Sequence, residues 1–462
     1  MLKKLLHHRH LFTLCVLLIG GIGFFPSPAR AQRTVYSPDE FIRRRAELMD
    51  KVNDGLIILF AESRYEGSSG LNPGAHFRQD NDFFYYTGNE DPHSILVLMP
   101  QTRGTYLFLP RQSASEIRAN GANWLEDAAA AEKTGLSDIY VLSYFEEFLA
   151  RQLGRTGNLI HLRIQPRGTQ LAAARRNKSL FNARLPLGNH RIKTFRERMP
   201  TTKLRDITPH IDAMRLIKSR EEIEVVRRVG RISAEGVKQA MLASRPGGFE
   251  YEVEAAAMSA ILKHGAQGAA YPPIVAAGLN ACTLHYTQNS KRLEAGEIIL
   301  MDFGGDLDYL MADISRSWPV SGKFTPEQKI IYSTILEVQK ACIEAYRPGA
   351  TVEDVQNHVA EVMKRKNITV PEQLAHCGPP GKPGTIGHYV GMTVHDVGLR
   401  NIPLQPGMVI TIEPALYYPK KSLGIRIEDT ILITDEGCEV LTKDVPKEID
   451  EIENLMKGRK TK

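Results

Sequence analysis

The stretch Glu297–Arg316, EIILMDFGGDLDYLMADISR, constrains this chain more than any other. An apolar run from Ile298 to Met301 ends in Asp302, and Gly304, Gly305 and Asp306 follow. A second run ends in Asp313-Ile314-Ser315-Arg316. The pattern predicts two strands joined by a Gly-containing turn. Two carboxylates eleven residues apart would then meet across the ladder. Two isolated aspartates would read as solvent-facing residues flanking a loop, but three later segments each offer another hard ligand. They are Gly387-His388-Tyr389-Val390-Gly391, Thr411-Ile412-Glu413-Pro414 and Gly424-Ile425-Arg426-Ile427-Glu428-Asp429. Residues 425–433 alternate with period two, which sets Ile425, Ile427, Ile431 and Ile433 against Arg426 and Glu428. Pro414 predicts a strand that stops at Glu413. Buried carboxylates are costly unless paired or bound to metal. Asp302, Asp313, Glu413 and Glu428 would carry four negative charges, which two divalent cations neutralise, and His388 adds one imidazole. An oxygen-rich set with one nitrogen and no sulfur suits manganese, cobalt or ferrous iron and accepts zinc. Manganese is the expected metal.

The amino terminus reads as a targeting segment. Lys3, Lys4 and Arg9 precede an apolar run from Leu11 to Phe25, and Ala29-Arg30-Ala31 gives a small-x-small cleavage pattern. Residues 1–31 are therefore expected to be a signal peptide, with export to the periplasm or medium. The apolar run falls short of the roughly 20 residues a span needs. His7, His8 and His10 lie inside this segment and receive no role. Its loss removes Lys3, Lys4, Arg9 and Arg30 and no acid, taking the formal charge from +6 to +2. That charge gives no argument for nucleic acid or an anionic membrane, and Arg175, Arg176 and Lys178 read as a solvated face. Cys15 leaves with the signal. The remaining Cys282, Cys342, Cys377 and Cys438 show no C-x-x-C spacing, so no zinc knuckle is expected and the thiols read as free.

The mature chain is too long for one core. Residues 32–205 alternate strand-like runs (55–60, 95–99, 105–109) with helical ones (114–121, 145–153), which predicts an α/β layer. A linker is expected near residues 206–212. Residues 206–445 form the second domain, and 446–462 a charged carboxy-terminal tail. In the second domain Ser219-Arg220-Glu221-Glu222 is a capping box. Residues 250–264 predict a helix stopped by Gly265, Thr325-Pro326 opens a third helix, and Thr351-Val352-Glu353-Asp354 opens a fourth. Strands are expected at 274–277, 298–303, 409–413 and 425–433.

The order Asp, Asp, His, Glu, Glu comes with further motifs. His285-Tyr286-Thr287-Gln288-Asn289 lies upstream and Ala312–Arg316 surrounds the second Asp. Val394-His395-Asp396-Val397-Gly398 follows the His, and Arg426-Ile427-Glu428-Asp429 surrounds the last Glu. Together these resemble the pita-bread metallopeptidases, most closely the Xaa-Pro aminopeptidase (aminopeptidase P) and prolidase branch. The resemblance covers nearly the whole chain after residue 35, and five motifs in one order make a specific signal. It implies an α/β (α+β) fold class, with an N-terminal α/β creatinase-like domain before a pita-bread catalytic domain. That second domain would have a curved antiparallel sheet covered by helices. Phe77-Arg78-Gln79-Asp80 and Phe83–Gly88 resemble the signature of the first domain, and the aromatic run reads equally as core packing.

The resemblance also implies roles. Asp302, Asp313, His388, Glu413 and Glu428 would hold two metal ions, with Glu413 passing a proton to the leaving nitrogen. His285 would lie beside the substrate amine and scissile group, and His395 would hydrogen-bond the substrate carbonyl. Arg426 would orient a ligand carboxylate. Members of the branch usually carry another histidine four residues before the metal-binding one, where this chain has Gly384. Three readings follow: an Xaa-Pro aminopeptidase, a prolidase-type dipeptidase, and a non-catalytic peptide-binding protein of the same fold. The expected partners are peptides with an Xaa-Pro amino terminus, and a homo-oligomer is left open.

Overall fold

A computed structural model describes residues 35–63, 77–164, 187–369, 387–399 and 402–458. The signal-peptide reading and Gly384 lie outside them. The described chain falls into two compact units, one built on residues 41–162 and 189–205 and the other on residues from 206 onward.

In the first unit, strands β1 (Leu56–Phe60), β2 (Ile95–Met99), β3 (Gly104–Leu109), β4 (Asp138–Val141), β5 (Leu159–Leu162) and β6 (Lys203–Asp206) form one mixed sheet of order β4-β3-β2-β1-β5-β6. Its helices are α1 (Pro38–Lys51), α2 (Asn81–Thr87), α3 (Ala114–Asn120), α4 (Ala130–Thr134), α5 (Phe145–Leu153) and α6 (Leu187–Arg198). The aromatic run forms α2, whose residues are all buried. Asp80 caps it by accepting from the Asp82 and Phe83 N–H groups, and Gly88 ends it in a left-handed conformation. Arg44 and Arg45 of α1 donate to the carbonyls of Tyr85 and Tyr86 at 3.0 and 2.9 Å, satisfying the helix end. Core packing thus accounts for this run.

The second unit begins with α7 (Thr208–Leu216), which occupies the stretch expected as a linker. Helices α8 (Arg220–Ala243), α9 (Glu250–Lys263), α10 (Pro326–Ala345) and α11 (Val352–Arg365) follow. The boxes at Ser219, Thr325 and Thr351 all form. The last helix, α12 (Ile449–Lys457), falls in the stretch read as a charged tail; it is amphipathic and buries Ile452 and Met456.

The strands of this unit are β7 (Gly268–Ala269), β8 (Ile274–Ala277), β9 (Ile298–Phe303), β10 (Gly305–Leu307), β11 (Leu310–Met311), β12 (Ile314–Pro319), β13 (Val409–Ile412), β14 (Ala415–Tyr418), β15 (Leu423–Arg426), β16 (Asp429–Ile433) and β17 (Cys438–Val440). Their described pairings are all antiparallel, in four small sheets: β12-β9-β8, β11-β10-β7, β13-β16-β17 and β14-β15.

Two local expectations need correcting. The turn between the aspartates lies at Asp308-Tyr309, where both residues have positive φ (48° and 69°) between paired Leu307 and Leu310. That is the two-residue hairpin turn favoured by strand twist. Gly304 serves a different need, because a Cβ there would lie 1.8 Å from the Ala312 carbonyl oxygen. Residues 425–433 are also not one strand. β15 pairs with β14 and β16 with β13, and the chain changes partner at Ile427-Glu428. There the Ile427 N–H turns to the Pro414 carbonyl and the Glu428 N–H to the Ser315 carbonyl. Both faces of this stretch are buried, so the alternation separates two interiors rather than core from water.

Candidate metal centre

Strands β9 and β12 pair with Asp302 opposite Ser315, which brings Asp302 and Asp313 close. The Tyr271 hydroxyl lies between them, 2.6 Å from Asp302 Oδ1 and also in contact with Asp313 Oδ1. A hydroxyl has one proton to donate, so it cannot satisfy both ionised carboxylates. Asp313 is fixed through its backbone: its N–H donates to Thr430 Oγ1 at 2.9 Å, and that hydroxyl donates back to the Asp313 carbonyl at 2.7 Å.

His388 precedes the bridge between Tyr389 and Ile410. Its N–H donates to Thr411 Oγ1 at 3.1 Å, and the same hydroxyl donates to Glu413 Oε1 at 3.3 Å. Thr411 thus holds both candidate ligands from one strand. His388 Nε2 lies 3.4 Å from Asp313 Oδ2 and 3.8 Å from Glu413 Oε1. Ligand atoms of Asp313, His388 and Glu428 all lie within 4.8 Å of one another. Glu428 Oε2 accepts from Ser315 Oγ at 2.7 Å, and Ser315 Oγ accepts from Arg426 Nε at 2.6 Å. The Arg426 fork also donates to Asp302 Oδ2 at 2.6 Å and to the Tyr417 hydroxyl at 3.1 Å.

The electrostatics show strong crowding. Burial, only partly offset by Arg426, pushes Asp302 up to about 7. Burial, then the charges of Asp313, Glu413 and Asp302, raise Glu428 well above the carboxylate range. Burial pushes Asp313 up too, but the hydrogen bond and charge of His388 outweigh it and hold Asp313 below its usual value. Burial lowers His388, but Asp313 outweighs it and leaves the imidazole raised. Burial and the neighbouring His388 push His395 down.

The structure therefore gathers Asp302, Asp313, His388, Glu413, Glu428 and Arg426 in one place. The His395 ring meets His388 edge-on, with centroids 4.2 Å apart. Its neighbour Asp396 is clamped by buried Arg215 of α7 and accepts from the Met392 N–H at 3.0 Å. His285 is exposed on the loop after β8, near enough for its charge to act on His395. Sequence reasoning missed Tyr271, in Ala270-Tyr271-Pro272-Pro273, because no periodicity or ligand spacing marks it. Thr411 and Tyr417 were missed for the same reason, since their hydroxyls sit within ordinary strand sequence.

Comparisons with known proteins bear on the family. A family model described as metallopeptidase family M24 matches residues 224–435, and one described as the aminopeptidase P N-terminal domain matches residues 41–161. The chain is 33% identical to the Xaa-Pro aminopeptidase of Escherichia coli, covering 91% of this chain and 98% of that protein. It is 32% identical to the mitochondrial intermediate cleaving peptidase 55 of Arabidopsis thaliana, covering 90% and 83%. Among solved structures, the zinc-substituted E. coli aminopeptidase P in complex with product superposes with a TM-score of 0.75 at 30% identity, covering 93% of this chain and 100% of the other.

Proposed function

This chain belongs to the metallopeptidase family M24, and from that premise we propose that it is an Xaa-Pro aminopeptidase, a metal-dependent hydrolase that releases the first residue from peptides with proline in second position. One observation carries the reading: four carboxylates, Asp313 and Glu428 buried and Asp302 and Glu413 partly so, converge with His388 on a centre to which Arg426 brings a single guanidinium. Burial, with the neighbouring carboxylates adding to it, raises the pKa of Asp302 and of Glu428, and a divalent cation relieves that cost. Asp302, Asp313, His388, Glu413 and Glu428 would hold two such ions. Manganese is favoured by the oxygen-rich set, and the zinc-substituted relative keeps zinc in view. Bound there, they would supply Lewis acidity and bring the pKa of a water towards neutrality.

The chain's own residues position the substrate and move protons. Glu413 takes a proton from the attacking water and delivers it to the departing nitrogen. His395, with its pKa pushed down, is neutral at pH 7 and donates one ring N–H to the substrate carbonyl oxygen. His285 faces the amine and scissile group. Arg426 holds Asp302 in its ligating orientation through the 2.6 Å contact. We also infer export, from the basic start, apolar run and cleavage pattern of residues 1–31. Among the described residues no helix is long and apolar enough to cross a membrane.

The test is manganese-loaded protein assayed on Xaa-Pro dipeptides and on longer Xaa-Pro peptides. Release of the first residue from the longer peptides is expected. Cleavage of dipeptides alone would assign the prolidase-type activity, and binding without cleavage would make this a peptide-binding protein. His395→Ala should keep its metal and lower kcat more than it raises KM, the pattern of a contact made mainly in the transition state.

A further inference from the structure

The loop after β8 carries His285, and its anchor is a carboxylate outside the metal centre. Glu250, at the start of α9, is wholly buried. Its Oε1 accepts from the Ala277 N–H at 2.8 Å and from Asn280 Nδ2 at 3.2 Å. Its Oε2 accepts from the Tyr286 hydroxyl and from the Lys291 N–H, both at 2.8 Å. The Glu250 N–H also donates to the Lys291 carbonyl at 3.0 Å. One side chain therefore ties the last residue of β8, the loop's first turn, the neighbour of His285 and the loop's far end. The Tyr286 ring packs on Ile274, Ala276, Ala281 and Leu300, so its hydroxyl and its ring fix the backbone beside His285 from two directions. A second tie closes the same loop. Lys291 Nζ meets both oxygens of Glu297 at 2.8 and 2.7 Å, and Gly278 has φ +60° where a Cβ would lie 2.3 Å from Glu297 Oε1.

We propose that Glu250 is the positioning residue for His285: by gathering four donors from residues 277–291, it sets the place of that imidazole relative to the metal centre. The inference rests on the Xaa-Pro aminopeptidase reading for the role of His285, but the loop anchor itself does not. Charge matters here as well as shape. A carboxylate offers acceptor oxygens to both pairs of donors, whereas the amide of Glu250→Gln offers one oxygen and one NH2. Whichever way that amide turns, a backbone N–H, of Ala277 or of Lys291, faces another donor and loses its acceptor. The loop then shifts, and a displacement of about 1 Å at a catalytic group can cost on the order of 10²-fold.

The experiment is a double-mutant cycle on Glu250→Gln and His285→Ala, read beside amide hydrogen exchange of the metal-loaded proteins. Glu250→Gln should speed exchange across residues 278–291 while leaving β9 and β12 protected. It should also lower kcat/KM by about 10- to 100-fold, and most of that loss should vanish in the His285→Ala background. Tyr286→Phe removes one of the four bonds and should show the same pattern with a smaller fall. A merely structural role for Glu250 predicts a loss that persists undiminished without His285, and that result overturns the proposal. Unchanged exchange across 278–291 overturns it too. If wild type cleaves no Xaa-Pro peptide, the activity reading fails, while the exchange data still decide whether Glu250 anchors the loop.

Discussion

Glu428 and Asp429 are neighbours in sequence, both almost or wholly buried, and their environments are opposite. They point to different faces of the chain and meet different neighbours on β12. Glu428 reaches Ser315, with Asp313, Glu413 and Asp302 around it. Asp429 reaches Arg316, the next residue, at 2.6 Å, and also accepts from Thr442 at 2.7 Å, Gln339 at 2.7 Å and Lys447 at 2.8 Å. Burial raises both carboxyls. Around Asp429 the cations Arg316 and Lys447 outweigh it and hold the group at about 2, whereas Glu428 stays well above its usual range. The fold thus gives Asp429 two cations in hydrogen-bond contact, whereas the guanidinium near Glu428, Arg426, stands 3.9 Å away and does not outweigh burial. That difference separates a structural ion cluster from the proposed metal centre within two consecutive residues.

The largest expected effect comes from breaking the completed side. Asp429→Asn strands Arg316 and Lys447 with no buried counter-charge, a loss typically of about 3–5 kcal/mol. At roughly 2–4 °C per kcal/mol for a unit of this size, Tm should fall by on the order of 10 °C. Metal stoichiometry should stay at the wild-type value in elemental analysis. A Tm close to wild type would mean that Arg316 and Lys447 do not need Asp429, and the contrast would collapse.

How far the sequence reaches depends on the range of the interaction. The capping boxes at Ser219, Thr325 and Thr351 were legible because each is made within four residues. Strands β8 and β9 were legible from their apolar runs. The five candidate ligands stood out as hard donors set in strand-like sequence, and the shared order supplied the rest. Tyr271 and the Arg316–Asp429 pair were not legible. Tyr271 meets Asp302 and Asp313 across 31 and 42 residues, and Arg316 meets Asp429 across 113. Asp429 looked like the end of a motif rather than the centre of an ion cluster. The strand over 425–433 was misjudged because alternation tells one face from the other without telling which faces are buried.

The second test uses pH. In metal-free protein Asp302 has a folded pKa of about 7 against about 3.9 unfolded, and Glu428 is shifted the same way. The folded state therefore binds more protons than the unfolded one in this window, and stability falls as pH rises from about 4 to about 7. His388, raised in the folded protein, acts in the same direction: its contribution is present below its unfolded value and lost above. Asp313, lowered, opposes them only as pH falls towards and below its unfolded value. One net proton corresponds to about 1.4 kcal/mol per pH unit, so Tm of the metal-free protein should drop between pH 5 and 7. Saturating manganese should remove that drop. The Asp429 cluster has the opposite sign: its contribution is complete above about 3.9 and is lost as pH falls towards 2. It is therefore silent between pH 5 and 7. A flat metal-free profile across that range would show that the centre is already neutralised from within.

The smallest effect is the most discriminating, because it applies the same chemical change to the adjacent residue. Glu428→Gln replaces a carboxyl whose pKa is held well above its usual range in the metal-free fold with a side chain that is neutral at every pH. The Gln oxygen can still accept from Ser315 Oγ, where Glu428 Oε2 accepts at 2.7 Å, and its NH2 turns towards the carboxylates of Asp313 and Glu413. No cation is stranded, because Arg426 keeps Asp302 at 2.6 Å. Metal-free Glu428→Gln should therefore be more stable than metal-free wild type at pH 7, by about 1–2 kcal/mol, as the cost of burying this carboxyl among its neighbours is removed. The gain should shrink towards pH 5, where neutralising the wild-type carboxyl costs less. Added manganese should reverse the order, since the variant has one ligand fewer and gains less from binding. Asp429→Asn destabilises with or without metal; Glu428→Gln stabilises without metal and destabilises with it. If both substitutions lowered metal-free Tm alike, Glu428 would belong to the structural ion network, and the centre would have to be assigned without it.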